Sequence, residues 1–353
     1  MHPAFGLGQG FDHYENCTSY REVLDAEPAS AWAMNPSVMK RSHADVTNPT
    51  VFAAFARWLS EHHERRFFLF VHLWDCHFDF IPPEPYRSRF DPDYRGNITG
   101  EHFFFDARIN AALPRRDIQH LEALYDGEIA WTDAHVDKML QALSGSGLHE
   151  NTIVALTSDH GTEFFEHGRK AHRHTLYDEL IHVPLVNRFP GRLPAGVRVK
   201  SLSRAIDIGP TLLQLAGLPR QDCGVGRSLV PIIEGTEGEP GRVAVSELFS
   251  VGRRLRALRT ADWKWLLNLN RNRVRYFDLR VDPGELNPLS GDRTPLGQTV
   301  ASIVPAVLKE LEATRARFEA TAVDSEIPAD VRRQLESLGY VGEGAEGLSE
   351  ENP

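Results

Sequence analysis

Cysteine is scarce in this chain: Cys17, Cys76 and Cys223 are the three among 353 residues. They are widely spaced and make neither a CxxC zinc pair nor a disulfide framework. Positive charge is in deficit. Lys plus Arg number 39 against 49 Asp plus Glu, a formal net charge of −10, which disfavours non-specific binding to nucleic acid or to an anionic membrane. Long apolar runs are also missing. The strongest, residues 67–74, is interrupted by His72 and is far too short to cross a bilayer, so no membrane span is expected. The opening residues, MHPAFGLGQGFDHYENC, show no basic stretch followed by an apolar one, and no signal peptide is read there. There are no internal repeats and no low-complexity tracts. With 41% apolar and 25% charged residues, what remains is a globular chain, long enough for one large α/β domain or two ordinary ones.

Helix and strand signals alternate along the first two thirds. Asn48-Pro49 reads as an N-cap followed by proline at the first helical position, opening a helix to about residue 62. The run FFLFVHL at 67–73 reads as a strand buried on both faces, as in a parallel sheet. A second helix is expected over 116–143, with Leu121, Leu124, Ile129, Val136, Met139, Leu140 and Leu143 on one face and glycines at 145 and 147 ending it. Residues 152–157 read as another buried strand and 182–186 as a third, with Pro184 marking an edge or a bulge. This alternation is the signature of a doubly wound, mostly parallel α/β sheet. Near residue 217 the chain turns Gly- and Pro-rich, as connections between domains do. Strands are expected beyond it at 243–249, 253–269 (turning at Ala261-Asp262) and 274–279, then helices at 297–320 and 328–338. The expected division is an α/β domain over 1–240 and a smaller α+β domain over 241–353.

The chemistry concentrates in TIVALTSDHGTEFFEHGRKAHRHTLYDELIHVPL, residues 152–185. Asp159 and His160 lie just past the C-terminal end of a strand, where open α/β sheets bind ligands. A carboxylate and an imidazole side by side can ligate one divalent cation, and Gly161 lets the backbone turn away at once. Oxygen-rich ligation with one His suits Ca²⁺, Mn²⁺ or Mg²⁺ better than a closed zinc site. The plainer alternative is an Asx turn at the strand end. Five of the 16 histidines fall within 160–182, namely His160, His167, His172, His174 and His182, with Arg169, Lys170 and Arg173 among them. In an acidic chain such a cluster is equipped to hold a tetrahedral oxyanion, although charge runs are commonly just solvated loops. His77 follows the 67–73 run, again past a strand end. Parallel strands would bring it and Asp159-His160 to one crevice.

SDHGTEFFEHGRKAHRHTLYDELIHVPLV resembles the metal- and substrate-binding block of the sulfatase family, within the alkaline-phosphatase-like superfamily. Other segments resemble the family in its order: GLGQGFDHYE, VHLWDCHFDFIPP, YDGEIAWTDAHVDKML, AIDIGPTLLQLAGLP, GRSLVPII, WKWLLN, YFDLRVDPGELNPL and LESLGYVG. The resemblance implies hydrolysis of sulfate monoesters, on a small molecule or a glycan, with Asp159 and His160 as ligands of a divalent metal, usually calcium. It implies that His77 contacts the sulfate or its leaving oxygen; Arg173 could bind the anion bidentately and His172 or His174 could donate a proton, with Lys170 of the basic cluster as a further anion-binding candidate. Arg173 stands where the family usually has Lys, so which of His172, Arg173 and His174 touches the anion stays open. The family's nucleophile is a formylglycine matured from a C/S-x-P-x-R motif. CTSYR at 17–21, CHFDF at 76–80 and CGVGR at 223–227 all lack its proline. The family's early Asp-Asp metal ligands and Lys-His segment are also absent. Those elements lie upstream of the GFDHYE block in the family, so the expectation is a sheet lacking the N-terminal segment and a chain inactive alone. A phosphonate or phosphate ester hydrolase of the same superfamily and a non-catalytic anion-binding remnant are the alternatives.

Overall fold

The computed structural model describes residues 8–17, 46–219, 225–236, 242–250, 252–289 and 295–319. It divides into two compact units; the expected helix at 328–338 and the sites of Cys223 and of residues 18–21 lie outside the described residues.

In the first unit, helix α1 spans Asn48–His62, as the Asn-Pro signal predicts. Its cap differs. Thr47, not Asn48, is the N-cap residue, and no side chain of the helix itself caps it. Asp75 does so from across the fold: its carboxylate accepts the backbone N–H of Thr47 at 2.6 Å and of Asn48 at 3.1 Å, the Thr47 hydroxyl at 2.6 Å and the Trp131 indole N–H at 3.1 Å. A negative charge there answers both the orphan N–H groups and the helix dipole. Helix α2 spans Arg115–Gly145 and stops where Gly147 takes a left-handed φ of 73°. Its buried positions include Ile118, Leu121, Leu124, Met139 and Leu143, whereas Ile129 is exposed. The core of this unit is aromatic: Phe78, Phe80, Phe103 and Phe164 pack with Ile98, Ile109, Leu121 and Leu124. Phe164 arrives on a two-residue hairpin, β2 (Glu163–Phe164) against β3 (Lys170–Ala171), which belongs to this unit.

The 67–73 run departs from expectation. Among the described residues it pairs in no named strand, and it is not buried on both faces. Phe68 and Phe70 are 68% and 62% exposed while Phe67, Leu69 and Val71 are half-buried. Continuous hydrophobicity implies two covered faces only if something covers each. Here Trp58 of α1 packs edge-on against Phe67, on one side.

In the second unit, strand β1 (Val154–Thr157) pairs antiparallel with β4 (Leu185–Arg188), Val154 opposite Arg188 and Thr157 opposite Leu185. It is half-buried rather than buried. Parallel pairing needs a crossover, usually helical; the return from β1 to β4 carries only a four-residue helix, α3 (Asp178–Ile181). None of the described strand pairs is parallel. Pro184 precedes β4, sparing the ladder a missing donor. The C-terminal part is a four-stranded antiparallel meander, β5 (Ala244–Ser250), β6 (Arg253–Arg259), β7 (Trp263–Asn268) and β8 (Arg273–Asp278). The β6–β7 turn falls at Ala261-Asp262 as expected, closed by Thr260 N–H donating to the Trp263 carbonyl. Helix α4 (Pro295–Glu319) follows, and its Val304 joins Leu258, Trp263, Trp265 and Tyr276 in a core cluster.

Candidate functional site

Asp159 and His160 stand just beyond β1. The Asp159 side chain is 75% exposed, and its carboxylate accepts the His160 backbone N–H at 2.9 Å while lying 3.7 Å from His160 Nε2. His160 Nδ1 lies 2.8 Å from the Gly161 carbonyl oxygen. A carbonyl only accepts, so Nδ1 donates there, and Nε2 is the ring nitrogen on the side of the Asp159 carboxylate. One hard oxygen and one imidazole nitrogen from adjacent residues fit a divalent cation as two members of its ligand set, short of the six to eight that Ca²⁺ takes. The Nδ1–Gly161 carbonyl bond is the kind of outer contact that orients a ligating His.

Gly161 is needed for a different reason from the one expected. A Cβ there would collide with the Glu179 carbonyl oxygen, because Gly161 N–H donates to the Leu180 carbonyl at 2.9 Å and draws the two backbones together. Close approach, rather than a sharp turn, excludes a side chain.

The 172–174 segment is half-buried. The His172 ring centroid lies 4.2 Å from that of His160, so these two imidazoles of the expected cluster do meet. Arg173 has a left-handed φ of 71° and its Nε donates to Ser250 Oγ at 3.3 Å. The His174 carbonyl accepts from Arg253 Nη1 at 3.2 Å. Past this segment, Tyr177 and Asp178 are anchored hard. Tyr177 packs against Phe277 and its hydroxyl accepts from Arg275 at 2.7 Å. Arg259 clasps Asp178 with Nε and Nη2, and Lys264 Nζ lies 2.9 Å from the same carboxylate. Burial alone would raise the Asp178 carboxyl, but Arg259 and Lys264 outweigh it and hold it below the ordinary range.

In the first unit, His77 is half-buried, stacked on Trp74 at 4.3 Å between ring centroids, with Nδ1 3.0 Å from the Phe78 carbonyl. Nδ1 donates to that carbonyl. Lys170 Nζ donates to the carbonyls of Asp106 and Ile109 at 3.0 and 2.7 Å, and burial pulls its pKa down against the pull of Asp106. His182 is exposed at the end of α3. Cys76 is turned inward against Thr132 Oγ1, and burial pushes its thiol up to about 11. A thiol so placed and shifted is a poor nucleophile.

Sequence reasoning missed Ser250, Arg253, Arg259, Lys264 and Glu285. The available signal was Lys264 between two tryptophans in WKWLLN, a charge inside an apolar strand that must find a buried partner.

Comparison with known proteins places this geometry. The family model described as Sulfatase matches residues 2–218, and one described as N-sulphoglucosamine sulphohydrolase, C-terminal, matches residues 165–316. Arylsulfatase K of Rattus norvegicus is 32% identical over 185 residues, 49% of this chain and 32% of that protein. Arylsulfatase K of Gallus gallus is 30% identical over 227 residues, 61% of this chain and 39% of that protein. The chain thus spans about a third of the length of these curated relatives. Among solved structures, the phosphonate monoester hydrolase of Agrobacterium radiobacter superposes with a TM-score of 0.60 at 25% identity, covering 77% of this chain and 60% of that one. A 2-O GAG sulfatase superposes at 0.53 with 22% identity, covering 83% of this chain and 63% of that one, a likeness of fold. The architecture is the alkaline-phosphatase-like α/β fold, and the chain belongs to the sulfatase family.

Proposed function

We propose that this chain carries the metal- and anion-contacting part of a divalent-metal hydrolase of sulfate monoesters. The observation that supports it most is the Asp159–His160 pair, with the imidazole Nδ1 tied to the Gly161 carbonyl and Nε2 beside the carboxylate, within a family match of residues 2–218. Calcium is the cation the resemblance favours, with manganese or magnesium as the other candidates. When bound it would act as a Lewis acid on an ester oxygen. The chain's own residues bind and orient. Arg173, planar and always charged, suits bidentate contact with a tetrahedral anion. His172 or His174 would supply the proton to the departing oxygen. The anion contact proposed for His77 rests on the family resemblance, and that for Lys170 on its place in the basic, His-rich cluster.

No step through formylglycine is drawn, because none of the three cysteines has the proline of the maturation motif and Cys76 is held inward as a thiol. A sulfated small molecule or glycan is the proposed substrate class, in keeping with relatives called arylsulfatase K. Among the described residues no helix is long and apolar enough to cross a membrane. The second reading, a phosphonate or phosphate ester hydrolase, draws on the likeness to the phosphonate monoester hydrolase. The test is calorimetric binding of inorganic sulfate and of inorganic phosphate to the purified chain, with and without calcium. Calcium-dependent binding that prefers sulfate and is lost in Asp159→Asn and His160→Ala supports the proposal. A preference for phosphate supports the second reading, and metal-independent binding removes both. Turnover of p-nitrophenyl sulfate is expected to be absent from this chain alone.

A further inference from the structure

Arg173 needs an external reason to sit where it does. A non-glycine residue at φ 71° is disfavoured by its own Cβ and persists only where surrounding contacts over-determine it. Two such contacts come from one place. Ser250 and Arg253 are cross-strand partners that close the β5–β6 hairpin. Ser250, which is buried, accepts Arg173 Nε, and Arg253 Nη1 donates to the carbonyl of the next residue, His174. One tie fixes the Arg173 side chain and the other fixes the backbone immediately after it. Between them they set the turn that leaves His172 with its ring 4.2 Å from that of His160. The C-terminal end of the same segment is fixed separately by Arg275 on Tyr177 and by Arg259 and Lys264 on Asp178. The hairpin end thus ties Arg173 and His174, upstream of these anchors.

We propose that Ser250 and Arg253 are positioning residues for the anion segment, so that the C-terminal sheet sets the geometry of Arg173 and His172. This rests on the reading of 172–174 as the anion-contacting segment. A guanidinium tied through Nε has its planar Nη1–Nη2 edge held in one orientation, and that edge is the one an end-on, two-pronged contact with an oxyanion uses.

The test compares Ser250→Ala, Arg253→Ala and Arg253→Lys with the parent chain by amide hydrogen exchange and by calorimetric binding of inorganic sulfate in the presence of calcium. Both alanine variants should raise exchange over 172–176 by about tenfold, the scale of one hydrogen bond to a charged group, and leave β6–β8 protected as before. Sulfate affinity should fall by a similar factor, and Arg253→Lys should recover part of both, because an ammonium can still reach the carbonyl. Arg280→Ala, at an exposed ion pair with Asp278, is the control that should change neither. Unchanged exchange at 172–176 in folded alanine variants would overturn the proposal. So would a rise spread evenly over the whole sheet, which marks a structural role. If the parent chain binds no sulfate, the functional reading fails, while the exchange comparison still decides the positioning role.

Discussion

Lys264 and Glu285 form an ion pair at 2.7 Å with neither side chain touching solvent. The same ammonium lies 2.9 Å from Asp178, and Glu285 accepts the Asp178 backbone N–H at 2.6 Å. Burial pushes the Glu285 carboxyl up against the opposing pull of Lys264. Pair, backbone and carboxylate thus form one buried unit at the start of α3, directly behind the anion segment. Removing one member of a buried ion pair leaves the other uncompensated, so Lys264→Met should destabilise by ~3–5 kcal/mol. Urea unfolding measures it. Adding Glu285→Leu should recover part of the loss, and a double variant less stable than the single would count against this account.

Glu128 makes stability depend on pH in the opposite sense from an ordinary surface carboxylate. Burial in α2 raises its pKa from 4.5 to about 8, partly offset by the Ile81 N–H it accepts and reinforced by Asp75. The folded chain keeps a proton that the unfolded chain releases near 4.5. Its contribution is full below that pH and is lost as pH rises towards about 8. Glu128→Gln keeps an acceptor for Ile81 and removes the charge, so its stability relative to the parent should improve steadily across that window. A difference between the two that stays flat with pH would contradict the assignment.

Gly161→Ala should cost ~1–3 kcal/mol, the usual range for overpacking, because the new methyl meets the Glu179 carbonyl. The movement that relieves the clash displaces His160 and weakens calcium-dependent sulfate binding. Stability and binding unchanged together would show that Gly161 is replaceable.

Asp75→Ala strips the acceptor from two backbone N–H groups, a hydroxyl and an indole at the start of α1. The loss should be about 3 kcal/mol, that of a cap plus a buried donor left unmet. Amide exchange would localise it to the first turn of α1; a loss confined to other segments would refute the capping role.

The two long helices, the β6–β7 turn and the Asp159-His160 pair were legible in the sequence because each is local. Periodicity, turn residues and adjacency within a few positions decide them, and the ordered sulfatase-like blocks needed no structure at all. What lay beyond the sequence depends on contacts across long separations. The apolar run at 67–73 reads the same whether one face or two are covered, and only the tertiary structure shows Phe68 and Phe70 exposed. The antiparallel pairing of β1 with β4 depends on how the chain returns between them, which hydrophobicity does not encode. Asp75 caps a helix 28 residues away in sequence. Likewise, Ser250 and Arg253 reach the anion segment from a hairpin 77 and 79 residues on. The sequence determined which groups are proposed to meet a cation and an anion; the tertiary structure decided which backbone and side-chain partners hold them, because hydrogen bonds and buried charges act through space over a few ångströms regardless of chain distance.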